Sequence, residues 1–302
     1  MKPAPFTYHD PATLDEAYGL LASLDNARVL SGGQSLIPML NFRYVQPDHI
    51  VDVAAITAIQ GIEFKNGTLT IGAMTRQRDI EFSDVVARHC PLMKEAILQV
   101  GHRQTRNRGT LGGSLSHFDP ASEQPACILA MDGMLVIQSP RGQRELPMSA
   151  FGQGIMSTAL EHDEVLVSIH FSVWPAGHGW AFEEFARRHG DFAMAGAAAL
   201  LELDAARRIQ RAVVVVCGLG NGPVRVSAVE QALIGFDTAA LASAKPGTTG
   251  FEALAAPASQ LEAFDDPHAP KEYRQRLAAT MVARALRRAA LRARGEFQEL
   301  AA

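Results

Sequence analysis

The residues best suited to hold a ligand lie in two glycine-rich turns, Leu30-Ser-Gly-Gly-Gln-Ser-Leu-Ile-Pro38 and Arg108-Gly-Thr-Leu-Gly-Gly-Ser-Leu-Ser-His-Phe-Asp-Pro-Ala-Ser-Glu123. Adjacent glycines carry no Cβ to keep an anion at a distance, so backbone N–H groups can approach a phosphate closely. Ser31, Gln34, Ser35, Thr110 and Ser114 add neutral donors that hold an anion without a Lys or Arg. Either turn alone is as readily a plain tight turn. Two of them, each set among hydroxyls, suit the diphosphate of a dinucleotide. A third run, Gly218-Leu-Gly-Asn-Gly222, follows the apolar Val213–Val216, but Pro223 stands where a last glycine belongs and no acidic ribose partner follows. It reads as a turn at a strand end.

Other chemistry is poorly represented. The ten histidines show no His-Glu-x-x-His spacing, and only His117 lies inside a motif. Cys90, Cys127 and Cys217 are far apart, without a Cys-x-x-Cys pair, which excludes a zinc ribbon or an iron–sulfur cluster held by this chain alone. In their apolar settings they read as small buried hydrophobes of a reducing compartment.

The elements around the turns follow from periodicity. Thr13-Leu-Asp-Glu16 is a capping box opening the amphipathic run Leu14, Ala17, Leu20, Leu21, Leu24. A strand at Ala27–Leu30, the first turn, Leu36–Leu40 and a second strand at His49–Val53 make a small βαβ-like unit. From Gly61 the period becomes two, and Asn66-Gly67 between Ile62, Phe64 and Leu69, Ile71 predicts a hairpin. Helical patterns follow at Arg76–Ala87 and Pro91–Val100, then an unusual polar, glycine-rich stretch from Gly101 to Pro125. Strands are expected at Met134–Ser139 and Glu164–Phe171, and Trp174–Gly179 is a connection. Trp180–Ala186, Ala193–Leu203 and Ile209–Leu219 read as three strands of an antiparallel sheet, covered by helices at Ala228–Gly235 and Tyr273–Arg294. Ala242–Pro257, rich in Ala, Pro, Gly and Thr, is expected to be a mobile loop or linker. The run Arg284, Arg287, Arg288, Arg292, Arg294 reads as a solvated helix face or a contact with a partner subunit.

Composition bounds the function. The chain has 302 residues, 47% of them hydrophobic and 20% charged, which is ordinary for a globular protein and enough for two domains. With 28 Lys and Arg against 32 Asp and Glu there is no basic excess to recommend nucleic acid as a partner. No apolar run is long enough to span a bilayer, and the N-terminus lacks the apolar segment of a signal peptide, so a cytoplasmic protein is expected.

Three stretches together carry a resemblance. Gly-Gly-Gln-Ser-Leu-x-Pro, then Arg-x-x-Gly-Thr-Leu-Gly-Gly-Ser-Leu-Ser-His-x-Asp-Pro-Ala-Ser-Glu, then Arg-His-Gly-Asp-Phe-Ala at 188–193 resemble the medium, FAD-binding subunit of the xanthine oxidase/carbon monoxide dehydrogenase family of molybdenum hydroxylases. The resemblance spans essentially the whole chain, with the motifs in the family's order. It implies an α+β fold with a two-part, PCMH/VAO-like FAD-binding region (1–57 and 58–175), followed by a C-terminal domain with an antiparallel sheet and helices (176–302).

The resemblance also implies site residues. Ser31, Gly32, Gly33, Gln34 and Ser35 would cradle the FAD pyrophosphate, and Thr110, Gly112, Gly113 and Ser114 would bind the diphosphate and ribityl region from the other side. Glu123, often Asp in relatives, would take a ribityl or ribose hydroxyl. Phe192, often Tyr, would lie over the isoalloxazine, Leu166 would pack at the flavin edge, and Gly101 would contribute backbone. No catalytic acid, base or nucleophile and no metal ligand is implied for this chain. Gln34 stands where some oxidases use His to attach flavin, so non-covalent FAD is expected. Ser114 replaces a common Asn. Phe182-Glu-Glu-Phe-Ala-Arg-Arg lacks the Lys of xanthine-type enzymes, which weighs against NAD and leaves the acceptor open. Partners implied are a large molybdenum-cofactor subunit and a small 2Fe-2S subunit, in a dimer of heterotrimers that passes electrons through FAD to an external acceptor. Two alternatives stand beside this one. One is a self-contained FAD oxidoreductase of the UDP-acetylenolpyruvylglucosamine reductase type, which would need its own proton donor. The other is a non-redox assembly protein that kept the turns.

Overall fold

The computed structural model describes residues 1–244 and 249–297. The chain forms two compact units that alternate along the sequence: 1–87, 102–118 and 132–172 make the first, and 88–101, 119–131 and 173–302 the second.

The first unit begins with a parallel three-stranded sheet in the order Thr7–His9, His49–Asp52, Ala27–Leu30. The helix Leu14–Ser23 starts as its sequence requires: the Thr13 hydroxyl accepts from Glu16 N–H at 3.2 Å, and the Glu16 carboxylate reaches back to Ala12 N–H at 2.8 Å. Its Ala17 and Leu21 pack into a core with Val51, Val53, Ile56, Met74, Val165 and Val167. The same unit holds an antiparallel five-stranded sheet, ordered Ile62–Lys65, Thr68–Gly72, Val165–Ser172, Met134–Ser139, Gly142–Pro147. Asn66 and Gly67, both at positive φ, turn its first hairpin as expected.

The second unit is built on an antiparallel sheet ordered Gly179–Phe185, Ala195–Leu203, Ile209–Cys217, Val224–Arg225. One face, through Ala181, Ala195, Ala197, Ala199 and Val214, packs on the helix Lys271–Ala293. The approach is so close that a Cβ on Gly179 would lie 2.7 Å from the Ala289 carbonyl carbon. The other face is covered by the helices Pro91–Ile97 and Glu123–Ala130. Cys90, Cys127 and Cys217 are buried here as free thiols, in keeping with their apolar sequence settings.

Four sequence expectations change. The single helix at 76–87 is two, Gln77–Phe82 and Asp84–His89, because the Ser83 hydroxyl accepts from Val86 N–H at 3.2 Å and starts a new helix. The glycine-rich stretch 101–125 is mostly helical: Arg103–Arg108, Leu111–His117 and the start of Glu123–Ala130. In the 242–257 linker the helices Thr238–Ser243 and Thr249–Ala255 and the 3₁₀ turn Ala256–Gln260 bring Leu241, Ala255 and Ala258 into the core, while 245–248 lie outside the described residues. On the arginine-rich helix, Arg288 and Arg292 are bound to Glu95, and Arg288 also to Glu183, so that face is partly an internal ion-pair seam; Arg284 and Arg287 stay exposed.

Candidate functional site: two facing glycine turns

In the first unit the two glycine turns meet. Thr110 caps the helix Leu111–His117, its hydroxyl accepting from Gly113 N–H at 3.1 Å, and the same oxygen lies 2.7 Å from the Ser31 hydroxyl. Ser31 Oγ is also 2.8 Å from Met74 Sδ. A Cβ on Gly32 would overlap the Arg108 carbonyl and lie 2.8 Å from Gly109 Cα; one on Gly112 would lie 2.8 Å from the Ala73 carbonyl oxygen. These glycines are therefore demanded by backbone-to-backbone packing, and Gly33 by its φ of +72°.

The two turns spend their N–H groups differently. In the second, Leu111 N–H donates to Thr75 C=O at 3.1 Å, Gly112 to Ala73 at 2.8 Å, Gly113 to the Thr110 hydroxyl, and Ser114 to Thr110 C=O at 3.2 Å. That turn is left with hydroxyls to offer. In the first, the N–H groups of Gly32, Gly33, Gln34 and Ser35 meet no acceptor among the described residues. Four open donors in succession suit an anion. The Gln34 side chain folds back onto Gly32 C=O at 3.2 Å, closing the turn on itself.

Two cations that sequence reasoning passed over stand at this place. The Arg76 guanidinium donates to the Arg108 carbonyl, the group against which Gly32 is packed. Neither Arg76 nor Arg108 makes an ion pair among the described residues. Burial and the neighbouring Arg108 charge both lower the Arg76 pKa. Two like charges beside open amides favour an anion between them. Arg76 has no sequence signal of its own, since its place depends on an isolated bridge to Thr110. Leu166, in the same unit, is buried in the strand Val165–Ser172.

Glu123, Phe192 and Gly101 belong to the second unit. Phe192 is 74% exposed, an open aromatic surface. Gly101 takes a positive φ of 46°. Glu123, the first residue of its helix, is buried, and desolvation, with the Asp119 charge added, raises its pKa. Glu184 is raised further, by burial and then by Glu123. The signal for Glu184 was an acid in the strand run Phe182-Glu-Glu-Phe185. Gly218-Leu-Gly220 is a strand-end turn, as expected, with Gly218 at φ +87°. No metal-binding group of His, Cys, Asp or Glu exists among the described residues, and no helix there is long and apolar enough to cross a membrane.

Open amides and unpaired arginines against a second glycine turn suit the diphosphate of a dinucleotide. Residues 4–174 match the family model described as the FAD binding domain in molybdopterin dehydrogenase, and 180–289 the CO dehydrogenase flavoprotein C-terminal domain. The chain is 36% identical to the alpha subunit of the 6-hydroxypseudooxynicotine dehydrogenase complex of Paenarthrobacter nicotinovorans, over 97% of each chain. It is 43% identical to caffeine dehydrogenase subunit beta of a Pseudomonas species, covering 78% of this chain and 80% of that one. A carbon monoxide dehydrogenase structure from Hydrogenophaga pseudoflava superposes with a TM-score of 0.90 at 35% identity, over 97% of this chain and 99% of that one. The chain belongs to the FAD-binding medium subunits of the molybdenum hydroxylases, and it is an oxidoreductase subunit.

Proposed function

We propose that this subunit holds FAD non-covalently and passes electrons from 2Fe-2S clusters of a small partner subunit to an external acceptor, while substrate is oxidised at the molybdenum cofactor of a large subunit. The observation that carries the reading is the row of open N–H groups at Gly32–Ser35, whose first member, Gly32, is packed against the Arg108–Gly109 backbone. The donor set fits a diphosphate: four amides and the Arg76 and Arg108 charges, with the Ser31 and Thr110 hydroxyls bonded to each other and to Met74 Sδ as the brace that joins the two turns. Ser114 would add a hydroxyl, Glu123 would accept from a ribityl or ribose hydroxyl, Phe192 and Leu166 would supply apolar surface to the ring, and Gly101 backbone. Bound FAD supplies a carrier that takes electrons singly and delivers them in pairs; the chain's own residues bind and orient it.

We further propose that 1–57 and 58–175 are the two parts of the FAD-binding region and 176–302 the C-terminal domain, that the assembly is a dimer of heterotrimers, and that it is cytoplasmic. Neither alternative is favoured by any observation.

The test is the visible spectrum of the purified full chain before and after FAD is added, with the flavin then released by acid. A flavin spectrum and free FAD in the supernatant are expected. No binding, or flavin left on the precipitated protein, overturns the cofactor assignment. Co-expression with the two partner chains, followed by mass measurement of the native complex, tests the assembly.

A further inference from the structure

The second glycine turn is strung along the segment 73–77. Gly112 N–H donates to Ala73 C=O at 2.8 Å, Leu111 N–H to Thr75 C=O at 3.1 Å, and Gln77 N–H to Gly109 C=O at 2.8 Å. Two helices meet at one end of this ladder: Gln77–Phe82 leaves from it and Arg103–Arg108 arrives at it. They touch at that vertex, where a Cβ on Gly109 would overlap the Gln77 amide. About one helical turn further out, the buried side chains of Arg106 and Glu81 join them. Arg106 Nε donates to Glu81 Oε2 at 2.8 Å, and Nη2 to Oε1 at 3.3 Å.

A buried ion pair is a poor source of stability, because desolvation offsets much of its attraction. What a bidentate pair supplies is direction. The planar guanidinium has to lie fork to fork against the carboxylate, which fixes the rotation of each helix about its own axis. The last turn of Arg103–Arg108 carries the Arg108 carbonyl, and two parts of the anion site rest on that one group: Gly32 is packed against it, and the Arg76 guanidinium donates to it. Cα atoms lie about 2.3 Å from a helix axis, so a rotation of roughly 20° carries the backbone there by about 0.8 Å.

We propose that Arg106 and Glu81 are positioning residues for the cofactor: their bidentate pair sets the rotation of the helix Arg103–Arg108 and so aims the Arg108 carbonyl at Gly32 and Arg76. Neither side chain touches the ligand. The link to the cofactor rests on the FAD reading above; the aiming of the second turn does not.

The test separates aim from stability, on the full chain. Arg106→Met with Glu81→Leu replaces the pair by apolar side chains of similar length, and Arg106→Lys keeps the charge but loses the fork. Urea denaturation defines conditions in which each variant is fully folded, and flavin fluorescence quenching then gives the FAD dissociation constant. The double variant should keep most of the wild-type urea midpoint yet bind FAD about tenfold or more weakly, and Arg106→Lys should bind weakly too. In the flavin-free chain, amide hydrogen exchange at Gly109, Leu111 and Gly112 should quicken in both variants, while the strands Met134–Ser139 and Val165–Ser172 keep their protection. If FAD affinity in the double variant recovers along with the urea midpoint, the pair is merely structural and the proposal is overturned. If the double variant does not fold, Arg106→Lys decides: wild-type affinity and wild-type exchange at the three amides refute it. If the wild type binds no FAD, the cofactor reading falls, and the exchange result alone decides whether the pair aims the turn.

Discussion

Replacing Gly32 by alanine puts a methyl carbon 2.8 Å from Gly109 Cα and into overlap with the Arg108 carbonyl. Ordinary carbon–carbon contact is about 3.5–4.0 Å, so the two turns must separate by roughly 1 Å. Both neighbours are backbone, so no side chain can swing aside. Overpacking of this kind costs about 1–3 kcal/mol of stability. The effect on the cofactor is separate: a shift of roughly 1 Å takes an N–H···O bond from about 2.9 Å beyond the range of a useful hydrogen bond. Losing one or two charge-assisted amide bonds amounts to about 1.5–3 kcal/mol, a roughly 10- to 100-fold rise in the FAD dissociation constant. Flavin fluorescence quenching measures the affinity, and urea denaturation the stability. Gly19→Ala is the control: nothing lies near that Cβ, it sits inside the helix Leu14–Ser23, and it should leave FAD binding unchanged while stabilising the fold by about 0.5–1 kcal/mol. A Gly32→Ala protein with wild-type affinity and wild-type stability would refute the claim that the turns abut.

Arg106 pairs with Glu81 in the interior at 2.8 and 3.3 Å and fixes the helix that delivers Arg108 and Gly109 to the site. Arg106→Ala leaves Glu81 buried without its cation, and urea denaturation should show a loss of about 3–5 kcal/mol, of which Arg106→Met with Glu81→Leu recovers a large part. The three thiols are buried, and desolvation pushes Cys90 up to about 12 and the others upward too. The native chain at pH 8 should thus give no reaction with a thiol-disulfide reagent, and three equivalents after unfolding. Because the Glu184 pKa is raised in the folded state, the native chain binds more protons than the unfolded chain above the ordinary carboxylate range. That contribution is complete below about pH 4 and is lost as pH rises through the folded value, so unfolding free energy should fall from pH 6 to pH 9. Glu184→Gln should show a shallower fall.

Much of this was written locally. The hairpin at Asn66-Gly67 and the three long strands of the second unit could be located to within a residue or two of their ends, because alternation and turn residues act over a few positions; the two-residue fourth strand Val224–Arg225 carried no such pattern. Thr7–His9 carried no such pattern: it is three residues long, mostly exposed, and owes its strand character to parallel pairing with His49–Val51. The helix Leu111–His117 was hidden by glycine and hydroxyl residues whose low helix propensity is overridden by the burial of Leu111, Gly112 and Leu115. At the site, the glycine turns were legible, but which of them keeps its amides open was not. That depends on the carbonyls of Ala73 and Thr75, placed by folding rather than by neighbouring residues.

The alternation of the two units along the chain has a consequence for synthesis. The helix Glu123–Ala130, every residue of which is buried, leaves the ribosome before any strand of the sheet it covers has been made. At about 5–20 residues per second, the last helix of that unit follows roughly ten to thirty seconds later. Until those strands follow, Ile128, Leu129 and Cys127 have only the earlier helix Pro91–Ile97 to settle on, and the nascent first half presents what that helix leaves bare to whatever chaperone is near. For the same reason a fragment starting at residue 176 would emerge with one face of its sheet bare, and it should be recovered as aggregate.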